Sequence, residues 1–206
     1  MVRKVTMVFG ALAFAAALLA GVFVLFQNSR ASFDMKRQMP DSIKLKTFEG
    51  TNPPFDFVFE YPEAWKVKEV QPSEELNMVQ VLGPRDPVTK VIPGIFFTVQ
   101  TAKGKELDPA AIDAALQKEK RFKDFEEFPT KEELIGGAKA LHLNFQYVLL
   151  LPMWSQNAKD TVLKRSEVYT LRDGKIYRIK LWMTEEQYKI YRPIFDHILK
   201  TFKFLD

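Results

Sequence analysis

Phe55-Asp56-Phe57-Val58-Phe59-Glu60-Tyr61 places an aromatic ring at every second position over residues 55–61. A β-strand points successive side chains to opposite faces, so this spacing sends all four rings to one side and predicts a core-facing strand. Residues 78–82 and 92–101 read as further strands, and Gly83-Pro84-Arg85-Asp86-Pro87 between them carries turn chemistry. Asp108-Pro109 then opens a helix, because Asp can accept the free amide protons of a first turn while Pro fits the first helical position. Ile112, Ala115, Leu116 and Glu119 follow at helical spacing, so its inner face is short.

The strand signal returns with greater length. Over residues 141–149 the odd positions are Leu141, Leu143, Phe145, Tyr147 and Leu149, while His142, Asn144 and Gln146 point the other way. Residues 161–172 and 175–183 read as antiparallel partners joined by the tight Arg172-Asp173-Gly174 turn. From Glu185 onward Tyr188, Tyr191, Phe195, Ile198 and Phe202 recur at steps of three or four, which describes an amphipathic helix packed across a sheet. Pro193 lies inside it and removes one backbone hydrogen bond, so a kink or a start near Arg192 is expected. The order strands, helix, longer strands, helix predicts an α+β fold, an antiparallel β-sheet flanked by helices in an α/β/α sandwich.

Upstream of this domain, residues 5–26 form a 22-residue apolar run whose one polar side chain is Thr6. As a helix it reaches roughly 33 Å, enough to cross a hydrocarbon core of about 30 Å. A secretory signal peptide is the competing reading, with Ser29 and Ala31 as the small residues of a cleavage site. Its apolar region is typically about 7–15 residues, and length therefore favours a retained anchor. The chain divides into a basic tail (1–4), a transmembrane signal-anchor (5–26), a polar linker (27–42) and a globular domain (43–206). Basic residues flank the run on both sides, Arg3 and Lys4 before it and Arg30, Lys36 and Arg37 after it. A short basic tail ahead of an N-terminal apolar helix behaves as a signal-anchor, so the domain is expected outside the cytoplasm. Membrane lipid is the partner of residues 5–26.

The net charge of +4 raises the question of a nucleic-acid partner, and its distribution argues against one. Five of the 30 Lys and Arg fall in residues 1–39 against a single acid, Asp34, which leaves 25 of each sign in the rest. Phosphate backbones need clustered positive charge. Lys118, Lys120, Arg121 and Lys123 are interleaved with Glu119 and followed by Asp124, Glu126 and Glu127, the pattern of a solvated face.

Catalytic and metal signatures are sparse. The chain has no Cys and two His, His142 and His197, with no ligand spacing between them. His142 reads as part of a solvent- or helix-facing polar strip, and His197 as a surface or boundary residue. The adjacent pairs Glu74-Glu75, Glu126-Glu127, Glu132-Glu133 and Glu185-Glu186 point apart as sequence neighbours do, and no calcium loop accompanies them. No Gly-x-Ser-x-Gly, phosphate loop or dinucleotide fingerprint occurs, and Gly136-Gly137 reads as a turn. No catalytic residue, metal or cofactor is therefore expected. One stretch stands out: Leu149-Leu150-Leu151-Pro152-Met153-Trp154 runs an apolar strand into a loop. Met153 and Trp154 are candidate docking residues, since such side chains are favoured at partner surfaces and membrane interfaces; the alternative is that Trp154 folds back on the core.

Phe59-Glu60-Tyr61-Pro62-Glu63-Ala64-Trp65, a strand running into a Tyr-Pro-x-x-Trp turn, resembles the opening of PsbP/Mog1-like domains. Gly174-Lys175-Ile176-Tyr177-Arg178-Ile179 and the closing Thr201-Phe202-Lys203-Phe204 resemble that family's last strand and helix. The resemblance implies a non-enzymatic accessory protein with a protein partner, of the kind associated with photosystem assembly, membranes or a small GTPase. It carries no catalytic residue over. The expected function is a membrane-tethered accessory domain acting through protein contacts. Its alternatives are a small-ligand carrier with a pocket between sheet and closing helix, and a small enzyme using His142.

Overall fold

The computed structural model describes residues 42–50, 53–73 and 76–205. The chain separates into two units, Met1–Lys36 and Arg37–Asp206, and every described residue belongs to the second. The apolar run 5–26, the cleavage site and all but the last residue of the linker lie outside the described residues. Among the described residues no helix is long and apolar enough to cross a membrane.

In chain order the elements are β1 (Leu45–Glu49), β2 (Phe57–Pro62), β3 (Lys66–Ser73), β4 (Leu76–Leu82), β5 (Gly94–Thr101), α1 (Pro109–Leu116), a 3-10 turn (Glu119–Arg121), β6 (Lys123–Ile135), β7 (Ala138–Leu151), β8 (Lys159–Arg172), β9 (Lys175–Thr184), α2 (Glu185–Thr201) and β10 (Lys203–Phe204). Among the described residues the strands form a seven-stranded sheet, β3-β4-β5-β9-β8-β7-β6, and a three-stranded one, β1-β2-β10. Every pairing is antiparallel. The fold is α+β, as the sequence predicts.

The 55–61 stretch is the main departure. Its strand does not join the large sheet; β2 pairs with β1 and β10 instead and is laid over the large sheet. Phe57 and Phe59 point into the gap and meet Phe97 of β5 at ring-centroid distances of 5.5 and 4.2 Å. Each fully buried ring of this kind contributes about 1.5–3 kcal/mol. Alternation alone specifies which face is buried; it does not say whether the surface opposite is a neighbouring strand or another sheet.

The same face of the large sheet receives α2. Thr184 and Gln187 cap that helix reciprocally: the Gln187 amide donates to Thr184 Oγ1 at 3.3 Å, and the Thr184 amide to Gln187 Oε1 at 3.1 Å. The helix continues through Pro193 from Glu185 to Thr201, so the start near Arg192 does not occur. Phe195, Ile198 and Phe202 are buried between helix and sheet, and Trp65 packs edge-on against Tyr191 at 5.4 Å. The opposite face is covered in part by α1, capped by Asp108, whose side chain accepts from the Ala110 amide. Ile112 and Leu116 pack there with Leu143, Phe145 and Tyr147; Ala115 is exposed and Glu119 falls beyond the helix end.

Tight turns fix the registers. Asp173 (φ 50°) and Gly174 (φ 71°) form the two-residue connection that pairs Arg172 with Lys175. Positive φ at both centres is what such a hairpin demands, and Gly meets it without steric cost.

Candidate functional site

The loop after β7 presents Met153 and Trp154 to solvent. Trp154 is 101% exposed, Met153 61% and Leu150, just upstream, 60%. The alternative in which Trp154 folds onto the core does not occur. Its backbone has φ 64°, a left-handed conformation that costs a bulky side chain about 1–3 kcal/mol. The turn is held locally, with the Ser155 amide donating to the Pro152 carbonyl at 3.2 Å and the Ala158 amide to the Ser155 carbonyl at 3.1 Å.

His142 faces the closing helix rather than solvent. Its Nδ1 lies 2.6 Å from Glu133 Oε1, its Nε2 lies 2.5 Å from Ser166 Oγ, and the ring meets Phe195 edge-on at 6.2 Å. Ser166 donates onward to Asn144 Oδ1 at 2.7 Å. Hydroxyl, imidazole and carboxylate thus stand in the order of a nucleophile, a base and its orienting acid. Ser166 is 0% exposed beneath α2, so no substrate reaches the hydroxyl in this arrangement. The hydrogen bond from His142 holds the Glu133 carboxyl below its ordinary value. Glu132 and Glu133 diverge as the sequence suggests, opposing Leu141 and Ala140 in turn. His197 sits at the boundary, 2.8 Å from Glu60 Oε2. Among the described residues no cluster of His, Asp and Glu could hold a metal.

The other face of the large sheet carries a charge cluster that the sequence reading missed. Glu167 of β8 is fully buried and receives Arg178 Nε at 2.9 Å, Arg178 Nη2 at 2.8 Å and the Tyr169 hydroxyl at 2.6 Å. Arg165 Nε forms an ion pair with Glu167 at 2.5 Å, and its Nη1 donates to Glu119 at 2.9 Å. Burial alone would raise the Glu167 carboxyl; Arg178 and Arg165 overcome it and hold it below its ordinary value. Glu119 is therefore not part of a solvated face, although its neighbours Lys118 and Arg121 are exposed. Charges at both parities, Lys164, Arg165 and Glu167, clustered in the middle of β8 were the available signal.

A groove of about 700 Å³ opens between α1 and the β6–β7 hairpin, lined by Lys105, Leu107, Pro109, Glu132, Glu133 and Leu141 among others. The space between sheet and closing helix, where the alternative carrier reading would put a pocket, is filled by Phe97, Phe195, Ile198 and Phe202.

A family model described as PsbP-like protein matches residues 10–204. The chain belongs to the PsbP-like family. No curated protein matches it. Among solved structures, this PsbP-like chain is similar to cyanobacterial PsbP (CyanoP) from Synechocystis sp. PCC 6803, with 13% identity, TM-score 0.51, and coverage of 82% of this chain and 98% of that one. It is also similar to LpqN of Mycobacterium tuberculosis, described as involved in cell envelope biogenesis, with 16% identity, TM-score 0.51, and coverage of 81% and 93%. At these identities the likeness shows the PsbP-like fold.

Proposed function

We propose that this PsbP-like chain is a non-catalytic accessory, tethered by residues 5–26 to a membrane and working through protein contacts on its extracytoplasmic side. Met153 and Trp154 form its docking surface. One observation carries the reading: the largest side chain of the loop stands fully in water on a left-handed backbone. Burying an indole of about 150–250 Å² against a partner recovers free energy that the isolated domain forgoes. The family membership supports the accessory role, and the fold shared with an envelope-biogenesis protein supports the compartment. The burial of Ser166 weighs against catalysis at His142.

The test is Trp154→Ala in the full chain, expressed in its native membrane. Fold stability stays within about 0.5 kcal/mol, as for an exposed site, and the native-gel complex containing the wild-type chain disappears. A complex that survives the substitution on a folded protein contradicts the assignment.

A further inference from the structure

On the large-sheet face that α1 covers only in part, Lys180 of β9 stands directly between Glu167 of β8 and Phe96 of β5 in register. Its ammonium lies 4.9 Å from the centre of the Phe96 ring. Among the described residues it has no hydrogen bond or ion pair. The adjacent carboxylate cannot supply one. A carboxylate offers about four acceptor positions; three of those of Glu167 receive hydrogen bonds from Arg178 Nε, Arg178 Nη2 and the Tyr169 hydroxyl, and Arg165 Nε closes in as an ion pair on Oε1. Glu119 is committed at Oε1 to the far end of the Arg165 guanidinium; its Oε2 is buried and without a hydrogen-bond partner, and Lys180 makes no bond to it. Three cations, Arg165, Arg178 and Lys180, therefore share two carboxylates, and the surplus positive charge rests at Lys180.

The surroundings of that ammonium are flat and aromatic. Phe96 leans over Gly94, where a Cβ would come within 2.6 Å of the ring, and Trp182 opposes Gly94 in register on the same face. Phe96, Thr98, Lys180 and Trp182 are all half-exposed. We infer that this face is a binding site for a carboxylate carried on an aromatic or apolar body, the acid meeting Lys180 and the body lying against Phe96 and Trp182. The site goes beyond the docking role of Trp154 and does not depend on it. The occupant is an acidic side chain beside an aromatic one on a protein partner: the face is open and half-exposed, and its surplus charge is positive.

The charge on Lys180 sets a pH signature. Burial, then Arg165 and Arg178, push its ammonium down to about 8. Glu167 and Glu119 oppose that shift, Tyr169 and Tyr147 lie on the same face, β5 and β4 contribute Phe96, Thr98, Gln80 and Met78, and Lys68 ends the row on β3. The lysine is charged below that value and neutral above it, so anion binding falls as pH rises.

The experiment is proton–carbon NMR of the full chain in detergent micelles with lysine labelled at Cε, the Lys180 signal being assigned by its loss in Lys180→Met. Benzoate and acetyl-Phe-Glu-Phe-amide are the probes, with benzamide and acetyl-Phe-Gln-Phe-amide as uncharged controls. Saturable movement of the Lys180 signal by an acid and not by its control is expected, with affinity falling about tenfold between pH 7 and pH 9. Tighter binding of the peptide than of benzoate is expected; saturation by benzoate with no binding of the peptide overturns the assignment to a protein partner. Lys180→Met abolishes binding, whereas Lys180→Arg retains it and removes the pH dependence. No saturable movement with either acid, equal movement with the uncharged controls, or unchanged benzoate binding by Lys180→Met followed at the Trp182 indole signal overturns the inference.

Discussion

Phe59 of β2 stacks on Phe97 of β5 with 4.2 Å between ring centroids and 10° between ring planes. The two rings join the sheets: Phe59 also stacks on Phe48 of β1 at 5.0 Å, and Phe97 lies parallel to Phe202 beyond the end of α2 at 6.2 Å. Both sheets and the closing helix thus converge on this pair.

Phe59→Ala removes a fully buried ring from that junction and leaves a cavity in its place. The expected loss is about 3–5 kcal/mol, read from urea denaturation. A loss below about 1 kcal/mol would mean that the small sheet is not anchored through this residue.

Glu167→Gln keeps the shape of the side chain and deletes the charge that Arg165 and Arg178 share. Arg178 then loses its carboxylate and the buried Arg165 keeps only Glu119, while the amide brings an NH2 group against donors. Loss of one partner from a buried ionic cluster costs about 3–5 kcal/mol, measurable in the same denaturation experiment. Trp154→Ala serves as the neutral reference.

Acid should destabilise the domain through two carboxylates on opposite faces of the large sheet. Glu133 and Glu167 are both held below their ordinary value of 4.5 in the folded chain. As pH falls, the unfolded chain therefore takes up protons first. The stabilisation is complete above about pH 4.5 and is lost as pH drops through the folded values. Thermal midpoints recorded from about pH 6 to pH 3 should fall, and Glu133→Gln should flatten that dependence. Equal slopes for the variant and the parent would remove Glu133 from the account.

Much of this architecture was legible as period-two alternation. Residues 78–82, 141–149, 161–172 and 175–183 fall within observed strands, and residues 92–101 overlap β5, which begins at Gly94. Asp108-Pro109 and Glu185 mark true helix starts. What escaped were chiefly the two edges of the large sheet. β3 carries Lys66, Lys68 and Glu69, and β6 carries Glu126, Glu127, Lys131, Glu132 and Glu133. Edge strands gain from charge because it discourages pairing with other chains, and the same charge hides them from a hydrophobicity pattern. β6 also breaks register twice, between Lys123 and Glu126 and between Phe128 and Lys131. The Glu167 cluster was illegible for another reason: its members come from β8, β9 and the 3-10 turn, and sequence separation says nothing about which charges share a face until the registers are known. Trp154 was legible as an unusual residue at the end of an apolar strand, but its exposure depends on a left-handed backbone that composition does not specify.

The most direct test of the contact-based account is photocrosslinking from position 154 of the full chain in its native membranes, with a photoreactive phenylalanine in place of Trp154 and, as control, in place of Val88, which is 75% exposed elsewhere. The account predicts a discrete protein adduct in the membrane fraction from position 154 and not from position 88. Recovery of the chain without an adduct at 154, or the same adducts from both positions, contradicts it.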